Sequence, residues 1–159
     1  MDCNVECDNH NMKIILNDRQ EVEIKTGRIE DALFCFNLIQ ENMQTYHPAA
    51  KTFEQYKTEF IPQDIRIVFD QNKNVGFFEF QEKKDAWYLW DMQLSKNVQN
   101  KGLGSQILSL VESEVAEKGG KKIILNVYKT NPAIKLYKRN GYEVFADNGD
   151  RYAMSKDLI

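Results

Sequence analysis

Apolar residues change their period along this chain, and the changes mark its elements. Residues 21–25 set Val22 and Ile24 against Glu21, Glu23 and Lys25, the alternation of a half-buried strand, and Thr26-Gly27 closes it. A shorter apolar run at 13–16 precedes it, with Asp18 opening a turn. From Ile29 the period lengthens. Ile29, Leu33, Phe36, Leu38 and Ile39 recur at helical spacing, with Glu30 and Asp31 in the first turn where the helix dipole favours carboxylates. This predicts a helix to about residue 43. Residues 44–51, with Tyr46, His47 and Pro48, read as a loop. Thr52 ahead of Phe53, Tyr56 and Phe60, with Glu54 and Gln55 behind it, starts a second helix that Ile61-Pro62 ends.

Three strands follow, at 65–69, 75–81 and 86–94, joined by polar turns at 70–74 and 82–85. Short turns between strands predict an antiparallel meander. Two glycines, Gly102 and Gly104, then open a helix carrying Leu103, Ile107, Leu110, Val111 and Val115 on one face and ending at Gly119-Gly120. Residues 123–127 form a nearly continuous apolar run, broken by Asn126, as a strand buried on both faces would. Pro132 opens a last helix with Ile134, Leu136 and Tyr137, stopped by Asn140-Gly141, and residues 142–146 and 152–155 make a hairpin. The order βαα-βββ-α-β-α-ββ predicts an α+β sandwich with a partly antiparallel sheet. It spans residues 13–159 as a single domain, after an N-terminal segment at 1–12.

Composition narrows the function only a little. Lys and Arg total 21 against 24 Asp and Glu, a net charge of -3, which gives no reason to expect nucleic-acid binding. Cys3, Cys7 and Cys35 are too few and too uneven for a disulfide framework, which favours reduced thiols and a cytoplasmic setting. Cys3, Cys7 and His10 lack the fourth ligand that structural zinc wants, so no metal is expected. Residues 1–11 have neither the basic nor the apolar region of a signal peptide, and no apolar run is long enough for a membrane span.

The candidate chemistry lies in the turn Gln99-Asn100-Lys101-Gly102-Leu103-Gly104, between a strand and a helix. Glycines let backbone N–H groups close on an anion, and a helix N-terminus adds unpaired donors and partial positive charge. A Walker loop needs Lys then Ser or Thr after its last glycine; Ser105-Gln106 stands here. A dinucleotide fingerprint needs a small residue where Ile107 stands. A Gln/Arg-x-x-Gly-x-Gly/Ala turn for the pyrophosphate of coenzyme A fits at every specified position. The bland alternative is a turn that needs glycine only for positive φ.

With the block at 123–142, whose Asn131-Pro-Ala133, Leu136-Tyr137 and Gly141-Tyr142 follow in order, the chain resembles the GCN5-related N-acetyltransferase (GNAT) family. The resemblance covers residues 20–157 in element order, with its specific motifs at 90–142. It implies a mixed, mostly antiparallel central sheet flanked by helices. It also implies acetyl transfer from acetyl-CoA to a primary amine by direct attack in a ternary complex. The backbone at Asn100, Lys101, Gly102, Leu103, Gly104 and Ser105, with Gln99, is then expected at the pyrophosphate. The pantetheine arm is expected along Gln93 and Leu94 where two strands part, and Asn126 and Asn131 beside the cofactor. Asn131 stands six residues before Tyr137 where the commoner pattern has seven, and Thr130 holds the seventh place.

Tyr137 is the expected general acid for the thiolate. Glu79 and Asp91, and less directly Glu41 and His47, are candidates for the base. Lys101, Lys138 and Arg139 are candidates for the 3′-phosphate. The acceptor is an amine on a small molecule or a protein, with no nucleic acid or membrane partner, and a homodimer is left open. The aromatics Tyr46, Phe53, Tyr56, Trp87, Tyr88 and Trp90 are divided between core and an acceptor cleft. The competing reading is a non-catalytic acyl-CoA sensor or interaction module on the same fold.

Overall fold

The computed structural model describes residues 12–46, 51–84 and 86–159. Its strands are β1 (Met12–Ile15), β2 (Glu21–Thr26), β3 (Ile65–Asp70), β4 (Lys73–Lys83), β5 (Ala86–Leu94), β6 (Lys122–Tyr128), β7 (Glu143–Asp147) and β8 (Arg151–Asp157). Its α-helices are α1 (Ala32–Met43), α2 (Phe53–Glu59), α3 (Leu103–Glu117) and α4 (Ala133–Arg139). The strands form one sheet in the order β1-β2-β3-β4-β5-β6-β8-β7. Among the described residues only β5 and β6 pair in parallel, and α3 supplies the crossover that parallel pairing needs. The element order read from the sequence holds, with one strand added at the front. The run at 13–16 pairs with β2 because Ile14 sits opposite Val22 and both are buried.

The sheet separates two cores. On one face, Cys35 and Leu38 of α1 meet Ile65, Ile67 and Phe77, with Tyr56 and Phe60 packed against them. On the other, Leu103, Ile107, Leu108, Val111 and Val115 of α3 and Tyr137 of α4 meet Phe78, Phe80 and Leu89. Phe77 and Phe78 point oppositely because strand side chains alternate, so β4 is buried on both faces.

Three local readings change. The first helix opens as a 3₁₀ turn at Ile29–Asp31. Its tighter winding rotates the buried stripe to Ala32, Cys35 and Leu38, leaving Ile29 and Leu33 each 51% exposed. The turn at 70–74 shrinks to Gln71 and Asn72, both with positive φ, the geometry of a two-residue hairpin. In β6, Ile123, Leu125 and Val127 are buried but Asn126 is exposed, so that strand covers only one core. Among the described residues no helix is long and apolar enough to cross a membrane. Cys3, Cys7 and His10 lie outside the described residues.

Candidate active site

The site begins where β5 and β6 separate. They pair only at Trp87↔Ile123 and Tyr88↔Ile124. Beyond that, β5 stays with β4 as far as Gly76↔Leu94, and β6 stays with β8 as far as Tyr128↔Arg151. The cause lies in β5. Glu79 faces Asp91 and Phe80 faces Leu89, so Trp90 is an extra residue, a bulge that increases local twist and carries the strand end away from β6.

Register decides which backbone groups face the gap. Ser95 N donates to Val75 O at 2.8 Å. Hydrogen-bonded pairs alternate along an antiparallel ladder, so Gln93 and Asp91 turn their backbone groups to β4, and Met92 and Leu94 turn theirs into the gap. The Leu94 carbonyl accepts from Asn42 Nδ2 at 3.0 Å and Gln99 Nε2 at 2.8 Å. Gln99, expected at a phosphate, thus anchors the turn to the strand end. The Gln93 side chain is buried; its Oε1 accepts from Asn42 Nδ2 at 3.2 Å and its Nε2 donates to Asp91 Oδ1 at 2.7 Å. Asn42 carries no motif and was missed in the sequence. It lies on α1, and only packing brings it to β5.

The glycine turn follows. Asn100 and Gly102 have positive φ, at 58° and 84°. The first intrahelical bond of α3 runs from Gln106 N to Gly102 O at 3.2 Å, so Leu103, Gly104 and Ser105 have N–H groups without intrahelical partners. A Cβ on Gly102 would come within 2.8 Å of Asn17 Oδ1, and one on Gly104 within 2.8 Å of Leu136 Cδ2. Gly104 therefore lets α3 and α4 approach closely. Asn140 locks that contact by donating to Ser105 Oγ at 3.0 Å and to Leu136 O at 2.8 Å. Leu103 is core and offers only backbone. Lys101 turns away, pairing with Asp18 at 2.7 Å and with Gln20 Oε1 at 3.0 Å.

Two cavities meet at the gap. A groove of about 600 Å³ is lined by Met92, Leu94, Gln99, Asn100, Asn131, Leu136 and Tyr137, with Glu41, Lys96, Lys135 and Arg139 also on its walls. A chamber of about 340 Å³ lies under α1 and α2, lined by Phe36, Tyr56, Trp90, Asp91, Asn126, Tyr128, Tyr137 and Arg151. Met43, Met92, Gln93, Asn131, Ala133 and Tyr137 border both and form the waist between them. Asn131 Oδ1 accepts from Ala133 N at 2.9 Å, capping the start of α4. Thr130 is exposed and is not among the lining residues. Asn126 lies on the chamber wall rather than the groove. Of the expected phosphate cations Arg139 borders the groove and Lys138 does not. Lys135, one helical turn before Arg139, was legible as its neighbour by i,i+4 spacing. His47 lies outside the described residues.

Burial dominates the electrostatics. It pushes the Tyr137 hydroxyl upward, and the Asp91 charge adds to that. Asp91 is raised to about 6 by burial, held back by the hydrogen bonds from Gln93 and the Met92 N–H; its partial accessibility is to the chamber it borders. Glu79, directly across the ladder from Asp91, is raised to about 7 by burial, then by the charges of Asp91 and Asp64, against Lys51. Tyr56 on the chamber wall and Cys35 behind it are both pushed upward by burial.

Solved structures share this fold. The PaiA N-acetyltransferase of Thermoplasma acidophilum, in complex with coenzyme A, is 20% identical with a TM-score of 0.70, over 86% of this chain and 98% of that one. The GNAT domain of S. lividans PAT is 13% identical with a TM-score of 0.78, over 93% and 97%. The ribosomal-protein-S18-alanine N-acetyltransferase of Escherichia coli is 17% identical with a TM-score of 0.69, over 86% and 94%. No curated protein sequence matches the chain. The model of the Acetyltransferase (GNAT) family matches residues 32–142, which include the parted strands, the glycine turn and Tyr137. The chain belongs to the GNAT acetyltransferase family.

Proposed function

We propose that this protein transfers the acetyl group of acetyl-CoA to a primary amine by direct attack in a ternary complex. The observation that carries the reading is Tyr137 at the waist between a groove that reaches Gln99 and Asn100 of the glycine turn and a chamber bordered by the Asp91 carboxylate. The residues present fit the co-substrate. The N–H groups of Leu103, Gly104 and Ser105, with the turn from Asn100, suit a pyrophosphate, and Arg139, Lys135 and Lys96 suit the 3′-phosphate. The backbone groups of Met92 and Leu94 suit the amides of an extended arm. They replace the expected Gln93 and Leu94 pair, because Gln93 is turned to β4.

The thioester supplies an activated acetyl carbon; the protein supplies positions and protons. Met92 N–H faces the gap but bonds the Asp91 carboxylate, so it can stabilise the oxygen that gains charge as the amine attacks only by sharing that bond. Asp91, with Glu79 behind it, takes the proton lost from the amine. As the carbon–sulfur bond breaks, the Tyr137 hydroxyl protonates the leaving thiolate. Asn131 at the waist and Asn126 on the chamber wall position the reactants.

The test is thiol release from acetyl-CoA, with and without a panel of small amines and peptides, with products read by mass spectrometry. Acceptor-dependent release supports the reading. Tight acetyl-CoA binding with no release under any acceptor overturns it in favour of an acyl-CoA-binding module.

A further inference from the structure

A second groove, of about 930 Å³, lies at the other end of the β5–β6 pair from the glycine turn. Lys83 and Lys84 come from the β4–β5 turn and Lys121 and Lys122 from the start of β6, all four exposed around Tyr88 and Ile124. Asp157, the acidic residue of the groove, pairs with Lys122 at 3.6 Å and leaves the cluster of four lysines positive, on a chain whose net charge is -3. A local basic site on an acidic protein selects anionic partners.

The groove adjoins the chamber through two stacked rings. Tyr88 lines the groove, Trp90 lines the chamber, and their rings stack at 5.1 Å. Lys83 Nζ lies 4.8 Å from the Trp90 ring centre. Opposite them on β6, Ile124 lines the groove and Asn126 the chamber. The strip Tyr88–Trp90 with Ile124–Asn126 thus runs from the lysines to Asp91.

We propose that the acceptor is a polypeptide with acidic residues a few positions from its acetylated amine. Its amine enters the chamber, its chain crosses the Tyr88–Trp90 pair, and its acidic side chains meet Lys83, Lys84, Lys121 and Lys122. This rests on the acetyl-transfer reading. Asp91 lies five steps along β5 from Ala86, roughly 17 Å at about 3.3 Å per residue, so an extended peptide reaches the lysines in about five residues. A nucleic acid fits less well. The Tyr88 and Trp90 faces are occupied by each other and by Lys83, and the basic cluster is short.

The test uses the full chain with acetyl-CoA and three peptides sharing one N-terminal sequence, with Glu, Gln or Lys at positions 4–6. A dipeptide amide of the same start serves as the short acceptor. The Glu peptide is expected to exceed the Gln peptide roughly tenfold in kcat/KM through KM, a margin that added salt removes. In the Lys84→Glu/Lys121→Glu double variant the Lys peptide becomes the preferred one, while the dipeptide rate is unchanged. Peptide binding to the acetyl-CoA-loaded protein, followed by tryptophan fluorescence, separates the two claims. Lysine-dependent binding of the Glu peptide without turnover supports the groove and defeats acetyl transfer to it. Turnover of the dipeptide with no charge order among the peptides leaves acetyl transfer standing and overturns the proposal. Absence of lysine-dependent peptide binding, or lysine-dependent binding of an RNA oligonucleotide in preference to the Glu peptide, also overturns it.

Discussion

Tyr137 keeps its proton through neutral pH because burial and the Asp91 charge both disfavour the phenolate. As the proposed acid it should therefore impose no falling limb on the pH–rate profile near neutrality. Turnover should instead rise through pH 6 to 7, as Asp91 and Glu79 lose their protons, and then level. Tyr137→Phe should lower kcat by about 100-fold or more, while acetyl-CoA affinity measured by calorimetry changes little. Equal turnover in the two proteins would remove Tyr137 from the acid role. Asp91→Asn separates catalysis from stability. The folded value of Asp91 lies above its unfolded one, so the folded state holds the extra proton and stability falls as pH rises from about 4 to above 6. The Asn variant should gain in Tm relative to the parent over that interval and keep the gain at higher pH, while losing turnover. Gly102 and Gly104 stand out in the sequence by their spacing, but for different reasons: one needs a left-handed φ, the other gives room to Leu136. Gly102→Ala should cost about 1–2 kcal/mol by thermal denaturation.

At the scale of elements, the site depends on how α1 and β5 are tied. Asn42 holds both the Gln93 amide and the Leu94 carbonyl, and through Gln93 it orients Asp91. Asn42→Ala leaves the Gln93 Oε1 short of a donor and takes one of two donors from the Leu94 carbonyl, and should cost about 1–3 kcal/mol in thermal denaturation. It should also shift the acid limb of the pH–rate profile, because Gln93 would no longer be held toward Asp91. A loss of stability with an unchanged profile would reduce Asn42 to a structural tie. The α2 helix starts with a capping box, in which Thr52 Oγ1 accepts from Gln55 N and Gln55 Oε1 accepts from Thr52 N. That motif was legible in the sequence because a cap is local. The partners of Asn42 lie more than fifty residues away, and no local pattern announces them.

At the scale of the molecule, the sheet parts only where β5 and β6 diverge beyond Tyr88 and Ile124, and acetyl-CoA placed in that gap would bridge the two strands. Ligand that binds only the folded state should raise stability by about 2.7 kcal/mol at a concentration 100 times Kd, visible as a concentration-dependent Tm. A Tm insensitive to acetyl-CoA would argue against binding in the gap. The sequence by itself determined the element order, the meander, the glycine turn ahead of a helix and the position of Tyr137. All of these rest on periodicity, turn residues and spacing within a few tens of residues. The tertiary structure decided which backbone groups enter the gap, because a one-residue change of ladder parity exchanges Met92 and Leu94 for Gln93. It turned Lys101 toward Asp18 and brought Asn42 to Gln93. It also gathered Lys83 and Lys84 with Lys121 and Lys122, because parallel pairing sets the starts of β5 and β6 side by side. These are outcomes of packing and register between distant segments, and short-range pattern carries no record of them.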